Sequence, residues 1–250
     1  MALTKVGKEG ITGISNSSDA TALFIDSSER VGVGATPNAT FGSHLYAQGT
    51  PAANKPIISA YSTGNSNKAG IGILNDAGNR GIWTDSNDLL FTTSYEGNST
   101  VHMKIDTNGI ITKPLQPAFS VKSASAQNNI ATETQVAVVY GTEIFDQNGD
   151  FASNTFTAPV TGKYQLNAHA RIDQVDADAY YYSWEIKTSN RTYNNIFDPD
   201  FGADVGFWSL VLSVLADMDA NDTVSIEIRQ EDGAAQTDIA STFFSGYLVA

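Results

Sequence analysis

No cysteine occurs in the 250 residues, so neither a disulfide framework nor a thiolate metal site can hold this chain together. Positive charge is scarce as well: 14 Lys and Arg face 27 Asp and Glu, a net of −13. The shortage is local. Residues 1–116 carry 8 cations against 9 carboxylates, whereas residues 117–250 carry 6 against 18. So acidic a C-terminal half would repel phosphate, which argues against DNA or RNA as partner. Long apolar runs are missing too, and no membrane insertion is expected. The opening Met1–Val6 lacks the apolar core of a signal peptide, which points to assembly in a cytoplasm, inside a particle, rather than to export. Helical periodicity is absent. The three histidines, His44, His102 and His169, are too scattered for a triad or a metal-ligand spacing. No catalytic residue and no required cofactor are expected.

What the chain does have is short alternating runs bounded by turn residues, the pattern of an all-β protein. Thr21–Val33 reads as a hairpin around Asp26–Glu29. Ile73–Trp83 repeats the idea through a turn at Asp76–Gly81. His102–Ile111 does so through Asn108–Gly109, where a positive φ suits a tight turn. Residues 1–116 hold few bulky apolar side chains for their length, so three copies sharing one core is the expected way to offset chain entropy. Pro114 and Pro117 stiffen Lys113–Pro117 and mark the boundary to the acidic half of the chain. Three regions are expected: an attachment arm at 1–22, a hairpin-rich trimeric shaft at 23–116, and a head at 117–250.

The head carries the most specific text. Ala118–Val121 offers a first strand. Thr134–Tyr140 alternates Val136 and Val138, and Ile144–Phe151 holds an Asn148-Gly149 turn. Phe156–Pro159 precedes Thr161-Gly162-Lys163-Tyr164 and the inward series Leu166, Ala168, Ala170 and Ile172. Trp208–Leu215 turns Leu210, Leu212 and Val214 inward, and Val224, Ile226 and Ile228 resume after a turn at Asp217–Asp222. The chain closes on Phe244-Ser245-Gly246-Tyr247-Leu248. These phrases, in this order, resemble the complement globular-head family, ten-stranded jelly rolls related to tumour necrosis factor. The collagen-like stalk of the animal members is missing, and Asn221 stands where the family places a turn glycine. Upstream, Glu29–Pro37 and Met103–Pro114 are similar to linking phrases of tail-fibre proteins of bacterial viruses.

The resemblance implies a homotrimer whose chain enters and leaves at one base. It places Phe243, Phe244, Tyr247 and Leu248 near the threefold axis as the trimer core. It also implies a virion fibre or spike, joined to other virion proteins by its arm and attaching to a bacterial surface glycan or protein. The alternative is a purely structural virion component: a head fibre, decoration or connector. Two acidic groups stand out. Asp198, Asp200 and Asp204 are one candidate for calcium; Asp173, Asp176 and Asp178 are a second, and solvated loop carboxylates are the plainer reading of both. Tyr193, Phe197 and Phe201, taken as loop aromatics beside Asp198 and Asp200, are the candidate receptor platform, since rings supply rigid contact area.

Overall fold

The computed structural model describes residues 23–25, 31–33, 45–47, 68–75, 78–93 and 100–250, with side chains among 80–93 and 100–250. Every regular element among them is a strand; none is a helix. The chain divides into two compact units, Met1–Ile71 and Gly72–Ala250.

In the first unit, β1 (Leu23–Ile25) pairs antiparallel with β2 (Val31–Val33), as the Thr21–Val33 alternation predicts. β3 (Leu45–Ala47) lies parallel on the other side of β2. The arm at 1–22, the turn between β1 and β2, and His44 fall outside the described residues.

A five-stranded sheet comes next in chain order: β4 (Lys68–Asn75), β5 (Gly78–Asp85), β6 (Asp88–Thr92), β7 (Val101–Ile105) and β8 (Ile111–Thr112). Gly78–Gly81, expected in a turn, belong to β5, where Gly81 sits opposite Thr92 of β6. Ladder pairing there outweighs local turn preference. The β7–β8 turn forms as expected around Gly109 at φ 80°. Asp106 holds it: its carboxylate accepts the amides of Asn108 at 2.8 Å and Ile110 at 2.9 Å. Those bonds, the Ile110 amide first, keep the Asp106 acid below its ordinary range.

From residue 118 the chain builds a two-layer sandwich. One layer runs β11 (Thr142–Asp146), β9 (Ala118–Lys122), β19 (Asp238–Leu248), β14 (Gly162–Val175), β17 (Val205–Met218). The other runs β12 (Phe151–Ala152), β13 (Thr155–Thr157), β18 (Thr223–Glu231), β15 (Tyr181–Thr188), β16 (Thr192–Phe197), with β10 (Val136–Ala137) also on β18. This is a jelly roll, with eleven strands where ten are expected, because β10 and β12 are two-residue pieces. Thr134–Tyr140, expected as one strand, pairs only at Val136–Ala137, while Val138 still reaches the core.

Period-two alternation decides which side chains go in. Leu166, Ala168, Ala170 and Ile172 of β14 are buried, as are Val224, Ile226 and Ile228 of β18. Tyr182 and Trp184 of β15 are fully buried, and Tyr180, outside the strand, is exposed. Phe119 stacks on Phe156 with centroids 4.6 Å apart and meets the Phe244 edge at 4.9 Å. Tyr164, also fully buried, donates its hydroxyl to the Val160 carbonyl at 2.8 Å. Asn221 takes φ 75° in the β17–β18 turn, doing a glycine's work. Gly162, by contrast, makes no turn. It opens β14, and a Cβ there would lie 2.6 Å from both the Ala250 carbonyl oxygen and Leu248 Cδ1. Its role is close approach of the chain's end.

Candidate functional site: the outer face of the five-stranded sheet

The outward side chains of β19, β14 and β17 form cross-strand rows set by the register. Tyr247, Gln165 and Leu215 share one row; Ser245, Asn167 and Ser213 the next; Phe243, His169 and Val211 the third. Tyr247 lies opposite Ala118, so the head's first and last strands meet at one end of the sheet. Phe207, Val211, Leu215, Phe243 and Tyr247 are 44–65 % exposed, an apolar surface unusual for a chain standing alone.

Most polar side chains of this face are already partnered. Gln165 Nε2 donates to Ser213 Oγ at 2.9 Å, and that hydroxyl donates to Asn167 Oδ1 at 2.8 Å. His169 Nδ1 lies 3.1 Å from the Ser241 carbonyl and donates to it. Arg171 clamps Asp173 through two bonds and lies 4.8 Å over the Phe207 ring. Lys163 pairs with Asp217 at the end nearest the C-terminus, and its bond is the main cause of the lowered Asp217 pKa. Pre-paired polar groups lose little when water is removed, so the face suits burial against another protein surface.

The resemblance assigns four residues to the trimer core, and the structure divides them. Phe243 and Tyr247 point outward from β19. Phe244 does not: it is 1 % exposed and packs inside its own protomer against Phe119, Tyr140 and Phe151. Leu248 also turns inward, half-buried against the same core. The correction follows from alternation: adjacent strand residues cannot share a face.

The candidate receptor platform is rearranged too. Tyr193 and Phe197 lie in β16, not in a loop, and pack partly on the core. Phe197 stacks face to face on Trp208 at 4.7 Å, and Phe201 leans on both rings at 5.6 and 5.3 Å. Phe201 and Trp208 keep part of their surface in solvent. Asn195 Nδ2 donates to the Val211 carbonyl at 3.1 Å, bridging the edge strands of the two layers beside this stack. Asp198 and Asp200 lie next to it, and Asp200 is exposed.

The acidic groups do not assemble a metal site. Among the described residues, no three His, Cys, Asp or Glu side chains converge as ligands. Asp204 accepts the Ala177 amide at 3.0 Å, and Asp198 accepts the Asp200 amide at 3.3 Å. Asp176, 2 % exposed, accepts the amides of Asp178 and Ala235. These carboxylates organise loops. Sequence reasoning misses Val211, Leu215, Phe207 and Trp208 as surface groups, although Phe207, Val211 and Leu215 recur in the outward phase, interspersed with Ser209 and Ser213, a sign that this phase too is partly covered.

The profile of the C1q domain family matches residues 118–249. Among solved structures, the globular domain of the zebrafish complement 1qA protein is 21 % identical with a TM-score of 0.42, covering 54 % of this chain and 98 % of that one. Murine APRIL, crystallised at pH 8.0, is 10 % identical with a TM-score of 0.41, covering 54 % and 99 %. No curated protein matches the chain. No helix among the described residues is long and apolar enough to cross a membrane. C1q domains are typically trimeric structural or recognition modules. With more than half of its length matched, the chain belongs to the C1q domain family.

Proposed function

We propose that this chain is a homotrimeric fibre or spike component of a bacterial virus, with its head as the attachment module for a bacterial surface glycan or protein. The observation that carries the trimer is the apolar outer face of the head's five-stranded layer, with most of its polar side chains already hydrogen-bonded. Supporting the virion setting are the fibre-like phrases at 29–37 and 103–114, directly upstream of the head. Three identical heads on one stalk would bind by avidity, so weak single sites suffice. Asp198, Asp200 and Phe201, at the end of the head away from the C-terminus, are the contact residues of this reading; Tyr193 and Phe197 support them from β16. One observation favours a structural virion role without receptor binding: most of the candidate aromatic surface is spent on packing.

The test has two parts. Native mass spectrometry of the full chain should give a species near three times 26.6 kDa. Purified protein should then compete with particles for adsorption to host cells, and Phe201→Ala with Asp200→Ala should lose that competition while staying trimeric. A trimer that never competes but is needed for particle assembly would favour the structural role. A monomer would remove the avidity mechanism.

A further inference from the structure

The segment joining β8 to the head's first strand, β9, is held down by the head's own polar turn. Gln147 Nε2 donates to the carbonyls of Lys113 at 3.0 Å and Gln116 at 2.6 Å. Asn148 Nδ2 donates to the Leu115 carbonyl at 3.0 Å. From the other side, Gln116 Nε2 donates to the Leu248 carbonyl at 2.6 Å, and the Leu248 amide donates to the Pro117 carbonyl at 3.0 Å. A neck with two prolines has fewer amides to offer, and here its carbonyls are the groups secured.

Apolar side chains stay exposed around this segment. Ile110 and Ile111 stand 58 % exposed, and Leu115 is exposed beside them. Ile111 lines an open cleft of about 450 Å³ together with Tyr247 and Val249. Leu115 lines a second, of about 460 Å³, with Val160 and Val249. Both clefts share Lys113, Gln116, Pro117 and Leu248, so they flank one stretch of neck. No Asp or Glu side chain lines either, in a region where carboxylates outnumber cations 18 to 6. Tyr247 belongs both to the first cleft and to the outer sheet face, so the two surfaces are continuous.

We propose that these clefts are a second contact between copies of this chain: the β7–β8 turn and the start of β8 of one copy, led by Ile110 and Ile111, seat in the clefts beside the neck of the next. The inference rests on the trimeric reading above and extends the interface below the head. Each copy would present a ridge and receive one, the head-to-tail geometry that closes into a ring. Clefts lined by no Asp or Glu side chain let acidic chains approach there with less repulsion. The Gln147–Asn148 clamp sets the ridge before association, lowering the ordering cost.

Two full-length variants test it, each diluted until the trimer dissociates. Ile110→Ser with Ile111→Ser, both exposed in the protomer, should raise the midpoint concentration for dissociation by about tenfold or more. Gln147→Ala with Asn148→Ala should shift it the same way and speed amide exchange at Gln116 and Leu248; this pair decides the matter if the isoleucine variant misfolds. A wild-type trimer whose midpoint neither variant moves overturns the neck contact and leaves the trimeric reading standing. A monomeric wild type fails both readings.

Discussion

The two sheets of the head share one core but show opposite outer faces. The six-stranded sheet turns Glu185, Lys187, Glu227, Arg229 and Glu231 to solvent. Lys187 pairs with Glu227 at 3.0 Å, Ser183 Oγ donates to Glu185 at 2.7 Å, and Arg229 pairs with Glu231. The five-stranded sheet turns Phe207, Val211, Leu215, Phe243 and Tyr247 outward. Both obey the same alternation; only the residue choice at the outward phase differs. A face laced with ion pairs is built for water, and one striped with rings and aliphatics is built for protein.

The sharpest way to break the comparison is from within, where both sheets depend on the same packing. Phe244→Asp buries an unpaired charge and should leave no folded protomer at all, visible as lost near-ultraviolet circular dichroism. If Phe244→Asp instead gave a folded monomer, its placement inside the protomer would be wrong. Trp184, fully buried between the sheets, should cost about 3–5 kcal/mol when cut to Ala, read from urea denaturation of the protomer.

Next comes the apolar face alone. Val211→Asp with Tyr247→Asp should abolish the trimer while far-ultraviolet circular dichroism stays that of the wild type, because neither side chain supports the core. Trimer retained at micromolar concentration would mean this face is not where copies meet.

A smaller effect separates loops from faces. The Ser189 hydroxyl and then the Asp219 amide hold the Asp222 acid below its ordinary value of 3.8. A lowered carboxylate stabilises the fold above its unfolded pKa and loses that contribution as pH falls through the folded value. Asp150 acts in the opposite sense: burial, and then Asp146, raise its pKa, so its charge opposes folding until acid neutralises it. Asp222→Asn should therefore flatten the fall in thermal midpoint below pH 3.8, and Asp150→Asn should raise the midpoint at pH 7. The smallest change belongs to the charged face. Lys187→Ala should cost no more than about 1 kcal/mol, with assembly untouched, since exposed ion pairs contribute little.

Much of the inner fold was legible from residue order. Leu166 through Ile172 and Val224 through Ile228 alternate strictly, and a strand with one apolar phase has a single way to face a core. Asn221 and Gly109 announce their turns because few residues tolerate positive φ. The site was harder to read. The closing phrase marks Phe243 and Phe244 alike as aromatic, and only their register with Lys122 and Val121 shows one outside and the other inside. Tyr193 and Phe197 look like loop residues because Asn194, Asn195 and Asp198 surround them, yet pairing with Ile186 and Tyr182 makes that stretch a strand.

Two features belong to tertiary structure entirely. The Gln147–Asn148 clamp joins residues more than 30 positions apart, and nothing local to an Asn-Gly turn says which carbonyls it will hold. Gly162 sits at the end of a turn-like phrase, but its purpose is space for Ala250 and Leu248, which arrive from the far end of the chain. The sequence by itself determined the all-β class and the inward sets of β14 and β18, because these follow from period-two burial. Which outward residues gather into one apolar face, and which aromatics stack across the sandwich edge, was decided by strand order and register, properties of pairing between segments far apart in the chain.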